Sequence, residues 1–268
     1  MNGRGAELVR IPLWGLRRSG LAWALALVLF IGATVAFWPA FQGTTALDQV
    51  FAQLPSGLVQ ALGLEDFATP AGYLRGNLYE LLIPLLLAAA AVVMAVGQTA
   101  GEEDSGRLEL YLAQPVSRAA TLLGRIVAVL AWMVVVGIVV LVAQLAFDAL
   151  VGLRIDTGLL VATVCTCTLL GLLHGGLAVA IAGWLPRPSL VIGISLAVAI
   201  CGYLVGALFP LSDLLAPWRH ISPWDWALGG DPLVTATAAW RYVALAVPAV
   251  VLVLLGLVGF ARRDVRAA

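Results

Sequence analysis

Long apolar runs alternate with short polar ones along the whole chain. Six runs, over about 21–38, 78–96, 121–147, 159–184, 189–210 and 238–260, approach or exceed the roughly 20 residues that a helix needs to cross a bilayer core. Backbone groups facing lipid have no water to bond, so these runs are predicted to be helices. The fold expected is all-α: a polytopic membrane protein of six transmembrane helices forming one transmembrane domain over 1–268. Small residues let membrane helices approach closely, and Gly137, Gly171, Gly175, Gly176, Gly193, Gly202 and Gly206 are spread through the runs. Gly202 and Gly206 form a small-xxx-small pair that suits either packing within the chain or dimerisation.

The polar interruptions differ in kind. Residues 1–19 interleave Leu8, Ile11, Leu13, Trp14 and Leu16 with Arg10, Arg17 and Arg18. That pattern suits an interfacial elbow helix whose arginines touch anionic lipid, with Pro12 bending or starting it; a disordered basic tail is the plainer alternative. In the loop over 39–77, Leu47, Val50, Phe51, Leu54, Leu58 and Leu62 recur near helical spacing and predict two short amphipathic helices. The loop over 211–237 holds Trp218, Trp224 and Trp226, which as tryptophans are expected at the membrane–water interface or, in a sharper reading, at a substrate exit.

Composition supports this picture. Hydrophobic residues make up 62% of the chain, charged ones only 11%, and mean hydropathy is +1.02; soluble domains carry roughly 25% charged residues. The formal net charge is zero, which gives no reason to expect a nucleic-acid partner. All fifteen basic residues are arginine. A Walker A loop requires lysine, so the chain carries no P-loop. Eleven arginines fall in the N-terminal tail, the 98–118 loop with the start of the third run, the 185–188 turn and the C-terminal tail; only Arg75, Arg154, Arg219 and Arg241 fall on the other side. The positive-inside rule therefore puts both termini in the cytoplasm. Cys165, Cys167 and Cys201 match neither zinc nor redox spacing and read as buried free thiols.

Ionisable or polar groups inside membrane runs are functional suspects. Gln144 and His174 are the candidates for a substrate path, although His174 also suits a helix–helix hydrogen bond. Asp148 and Glu80 sit near run ends and are expected to meet water. So few polar groups point to a hydrophobic or amphipathic cargo. A stand-alone secondary transporter or channel would call for more intramembrane charge or an internal repeat. An intramembrane enzyme would need a nucleophile–base pair or metal ligands at depth, and neither is evident.

The most specific segment is the 98–118 loop. Asp104 or Ser105 suits a helix cap, Glu102 and Glu103 suit a positive helix end, and Leu108, Tyr111 and Leu112 fall on one helical face. Pro115 would stop that helix, and Ser117 suits the cap of the next one. These features predict either a rigid amphipathic lever or an ordinary solvated loop.

The run Glu102-Glu103-Asp104-Ser105-Gly106-Arg107-Leu108-Glu109-Leu110-Tyr111-Leu112-Ala113-Gln114-Pro115-Val116-Ser117-Arg118 resembles the coupling-helix signature of ABC type 2 permeases. Weaker likenesses lie in Ser222-Pro223-Trp224 with Gly229-Gly230-Asp231-Pro232-Leu233, and in Thr69-Pro70-Ala71-Gly72-Tyr73-Leu74, the latter similar to the antibiotic and multidrug exporter group. The resemblance implies a permease subunit of an ATP-driven exporter in a bacterial cytoplasmic membrane. It would work with a separate ABC ATP-binding subunit and a second permease, identical or sister, within membrane lipid. The chain itself would be no enzyme and hold no cofactor, since ATP and magnesium would sit on the partner ATPase. By motif, Glu102, Glu103, Asp104, Gly106, Leu108, Glu109, Leu112, Pro115 and Arg118 would lie at the ATPase contact.

Overall fold

The computed structural model describes residues 2–42, 50, 53–61, 66–107 and 117–262. Among these there is no strand. Six helices are long and apolar enough to cross a membrane: Arg17–Phe41 (span 1), Pro70–Asp104 (span 2), Arg118–Val151 (span 3), Thr157–Trp184 (span 4), Pro188–Leu211 (span 5) and Ala239–Arg262 (span 6). The alternation of six spans puts the N-terminal helix, residues 98–107 and 117–118, the 185–188 turn and Arg262 at one end of the bundle, called here the terminal face. The opposite end is the far face.

Span 4 is the axis of the bundle and packs most extensively against spans 2 and 6. Its glycines make this possible. Gly171 lies against the Leu87 carbonyl and Gly175 against Ala91, both of span 2; Gly176 and Gly183 lie against the carbonyls of Ala249 and Gly256 of span 6. A methyl group at Gly183 would come within 2.4 Å of the Gly256 oxygen, so no side chain fits there. Such close backbone approach is how helices associate where lipid removes any hydrophobic drive. Span 5 shows the opposite character. Val191, Ser195 and Ala199 form its one buried stripe, whereas Ile194, Val198, Leu204 and Leu208 are exposed on the chain.

The N-terminal helix, Asn2–Gly15, runs almost directly into span 1 with a bend at Leu16. Pro12 lacks an N–H, which frees the Leu8 carbonyl that it would otherwise bond. That carbonyl abuts Gly124 of span 3, where an added methyl would sit 2.3 Å from the oxygen. The Trp132 indole donates to the Leu13 carbonyl at 2.9 Å, and its ring lies on Gly20. The elbow helix is thereby pinned to span 3.

Span 2 departs from the expected 78–96 run. It begins at Pro70, where the Thr69 side chain accepts a hydrogen bond from the Gly72 N–H. It passes through a π-helical turn, Arg75–Tyr79, and restarts at Leu82 after an irregular Leu81 (φ −133°). In the 39–77 loop a short helix, Ser56–Ala61, is present, while Leu47, Phe51 and Leu62 lie outside the described residues. At the far face the Tyr73 hydroxyl donates to the Thr34 carbonyl at 2.7 Å. Its ring sits 5.3–5.7 Å from those of Trp38, Phe41 and Phe67.

The 211–237 loop brings a correction to the tryptophan reading. A helix, Pro223–Leu228, tucks back into the bundle as a re-entrant element. Trp224 is 3% exposed and its ring meets that of His174 edge-on at 5.8 Å. His174 lies 17 residues into span 4, about 25 Å along its axis. Trp224 is therefore a core residue, whereas Trp218 remains exposed. The cysteines need correcting too: all three are free thiols, but only Cys167 is buried, Cys165 and Cys201 being exposed on the chain.

Candidate functional site

Two polar assemblies stand out in an otherwise apolar molecule, one at each end.

At the terminal face, span 2 ends in the short helix Ala100–Asp104. Ser105 and Gly106 close it: Gly106 takes φ +70°, a left-handed conformation that glycine adopts without strain. The Ser105 hydroxyl donates to the Glu102 carbonyl at 3.2 Å and accepts from Arg107 Nε at 3.1 Å. Glu102 and Glu103 thus lie within a short helix that ends at Asp104, before Ser105 and Gly106. Both are buried at 8% exposure, while Asp104 is exposed.

Glu102 is held by Arg125 of span 3. Arg125 Nε and Nη2 reach Glu102 Oε2 at 2.6 and 2.5 Å, and Nη1 donates to the Thr121 carbonyl at 3.1 Å. Arg125, read from sequence as one of the terminal-face positive charges, is 3% exposed and spent inside the fold. A buried pair of this geometry is costly to break from one side, because the orphaned charge stays out of water. It ties the start of the loop to the start of span 3. Ser117 opens that span by accepting from the Ala120 N–H at 3.2 Å, and Arg118 follows as its first residue. Leu108, Glu109, Leu112 and Pro115 lie outside the described residues.

Toward the far face, the π turn of span 2 aims Tyr79 inward. Its hydroxyl lies 3.3 Å from Gln144 Oε1, and Gln144 Nε2 donates to Asp148 Oδ1 at 2.6 Å. Gln144 is wholly buried and Asp148 is 5% exposed, so Asp148 is an interior residue rather than one meeting water. His174, the second path candidate, is buried apart from this group, with Nδ1 2.8 Å from the Leu170 carbonyl. The structure does not bring the two path candidates together: Gln144 belongs to the Tyr79–Asp148 chain and His174 to the seat of Trp224.

The re-entrant helix seals the same end. Ser222 caps it, accepting from the Trp224 N–H and donating to the Gly202 carbonyl of span 5. Gly202 and Gly206 form the seat for Pro223 and Trp224, so this pair of small residues packs within the chain. Pro84 has no N–H to return to the Glu80 carbonyl, and the Trp224 indole lies 3.3 Å from that oxygen as donor. Asp225 is buried between His220 Nδ1 at 2.8 Å and Arg219 Nε at 3.7 Å. Arg75 of the π turn pairs with Asp231 at 2.8 Å. The partners that join Ser222 to Gly202, Trp224 to Glu80 and Arg75 to Asp231 lie 20, 144 and 156 residues apart and are invisible to hydropathy. The closely spaced pairs Gln144–Asp148 and His220–Asp225 carry a local signal.

A six-span helical bundle with a braced polar loop at one end and a plugged opposite end has the build of a multi-pass membrane permease. The chain belongs to the family described as multidrug efflux system permease Rv1217c, C-terminal domain, whose model matches residues 13–261, and its likeness to the multidrug exporter group of ABC type 2 permeases stands. No curated protein matches the chain. A permease family points to a transport subunit rather than an enzyme.

Proposed function

We propose that this chain is the membrane-spanning half of an ATP-driven exporter, moving a hydrophobic or amphipathic small molecule with a separate ATP-binding subunit. The terminal face is then cytoplasmic, in a bacterial inner membrane, and the 98–118 loop is the segment that the ATPase grips. The observation that carries this reading is the Glu102–Arg125 pair, which ties the end of span 2, where the loop begins, to the first turns of span 3. In this account Glu102 and Arg125 are positioning residues. Asp104, Gly106, Arg118 and, by motif, Glu103, Leu108, Glu109, Leu112 and Pro115 lie at or near the ATPase contact. ATP-driven closure would push the loop, tilt span 3 against spans 1 and 4, and open the Trp224 plug. Gln144 and His174, buried in the closed bundle, would meet cargo only as it opens.

A family described by one domain of a larger permease supports a second half, identical or sister. The exposed apolar face of span 5 is a suitable surface for it. The test is copurification of the chain with a neighbouring ATP-binding protein, followed by dye efflux from vesicles with and without ATP.

A second reading, a stand-alone secondary transporter, draws on the buried Asp148 with Gln144 and Tyr79. It requires transport that collapses with a proton ionophore and ignores ATP.

A further inference from the structure

Arg241 opens span 6 at the far face, and its surroundings are unusual for a charged side chain. Its Nη1 donates to the carbonyls of Asp225 and Trp226 at 2.6 and 3.1 Å, at the end of the re-entrant helix. Its guanidinium lies over the Trp240 ring at 4.9 Å. Gly230 makes room for it: an added methyl there would stand 2.8 Å from Nη2. Among the described residues, Nε and Nη2 make no hydrogen bond and no carboxylate pairs with the charge. The neighbouring acids are engaged elsewhere, Asp225 with His220 and Arg219, and Asp231 with Arg75.

Beside this guanidinium lies a cavity of about 220 Å³, lined by Ala227, Gly230, Thr235, Thr237, Trp240 and Arg241. The Thr237 hydroxyl is buried there without a partner. The Thr235 hydroxyl already donates to the Gly230 carbonyl, so Thr237 and Arg241 are the donors left over. A fixed, half-buried guanidinium with two open N–H edges and an adjacent free hydroxyl suits an oxyanion, which accepts several charge-assisted hydrogen bonds at once.

Depth points to the source. Residues 242–261, between Arg241 and Arg262, carry no charge. Twenty helical residues rise about 30 Å, the thickness of a bilayer core. When Arg262 sits at one headgroup layer, Arg241 sits at the other, with Trp240 in the aromatic belt.

We infer that the cavity at Arg241 and Thr237 binds the phosphate of a phospholipid headgroup in the far leaflet and clamps it against the re-entrant helix. Through the Asp225 and Trp226 carbonyls the bound headgroup would bear on the helix that plugs the far face. The inference goes beyond the transport reading, because binding needs neither ATP nor a partner subunit.

The test uses the full chain in nanodiscs of phosphatidylglycerol with phosphatidylcholine, released into native mass spectrometry. Wild type is expected to retain a phospholipid that Arg241→Gln loses about tenfold, as befits the loss of charge-assisted hydrogen bonds. Thr237→Val, which leaves the Arg241 bonds to the re-entrant helix intact, should lose it several-fold at unchanged thermal stability. A second arm adds phosphatidylglycerol back to lipid-stripped protein in detergent, with and without excess inorganic phosphate. Competition by phosphate shows that the oxyanion alone is recognised, as it would be on an acidic cargo; retention of lipid without such competition shows that the acyl chains contribute. Equal lipid retention by wild type and Thr237→Val, whatever Arg241→Gln does, overturns the site.

Discussion

Replacing Arg125 with methionine probes the joint between the polar loop and span 3. Arg125 is 3% exposed and directs three nitrogens at two acceptors, Glu102 Oε2 and the Thr121 carbonyl. Methionine keeps much of the volume but leaves the Glu102 carboxylate buried without its cation. Breaking a buried pair from one side costs about 3–5 kcal/mol. For a chain of this size each kcal/mol moves the midpoint by roughly 2–4 °C, so thermal unfolding in mild detergent should fall by roughly 6–20 °C. Glu102→Leu strands the arginine instead and should cost a similar amount. The double variant removes both charges, and its stability should return most of the way, because an apolar pair of similar volume is often neutral. The double-mutant cycle measures this directly. Additive losses, with the double variant the least stable of the three, would refute the idea that this pair fastens the loop.

Other expectations follow from close contacts. Gly124→Val should push the N-terminal helix off span 3, since even a methyl there meets the Leu8 carbonyl; a loss of about 1–3 kcal/mol and faster proteolysis before Leu21 would show it. Gly183→Ala should part spans 4 and 6 at Gly256 and lower the midpoint in the same assay. Trp224→Ala removes a buried ring that fills the gap between His174, Tyr203 and span 2, and should cost about 3–5 kcal/mol; Trp224→Phe, which chiefly loses the bond to the Glu80 carbonyl, should cost about 1 kcal/mol. Asp231→Asn should leave stability within about 1 kcal/mol, because the Arg75 pair is partly exposed. It should nonetheless raise labelling of a cysteine introduced at Leu228.

The spans were legible because lipid imposes a length and forbids unpaired backbone, a rule that acts on each segment alone. Span 4 over 159–184 against Thr157–Trp184 shows how far that rule reaches. Span 2 shows where it stops. Arg75, Asn77 and Glu80 look too polar for a membrane helix, yet span 2 includes them, in and just after its π turn. Asp231 receives Arg75, and Asn77 donates to the Tyr73 carbonyl. The Tyr73 carbonyl is a neighbour one turn back, but Asp231 lies 156 residues away and leaves no trace in a local window. Trp224 fails for the same reason: a tryptophan in a polar loop looks interfacial until His174 and the Gly202–Gly206 seat are known. At the polar loop, residue type marked Glu102 as important, while its role depends on Arg125, 23 positions on.

The measurement that bears most directly on the account is efflux of a lipophilic dye from proteoliposomes holding the chain, with and without its ATP-binding partner. Dye should move only when the partner and hydrolysable ATP are both present, and not when the 98–118 loop is replaced by a glycine–serine linker. Efflux by the chain alone, driven by a proton gradient, would contradict it.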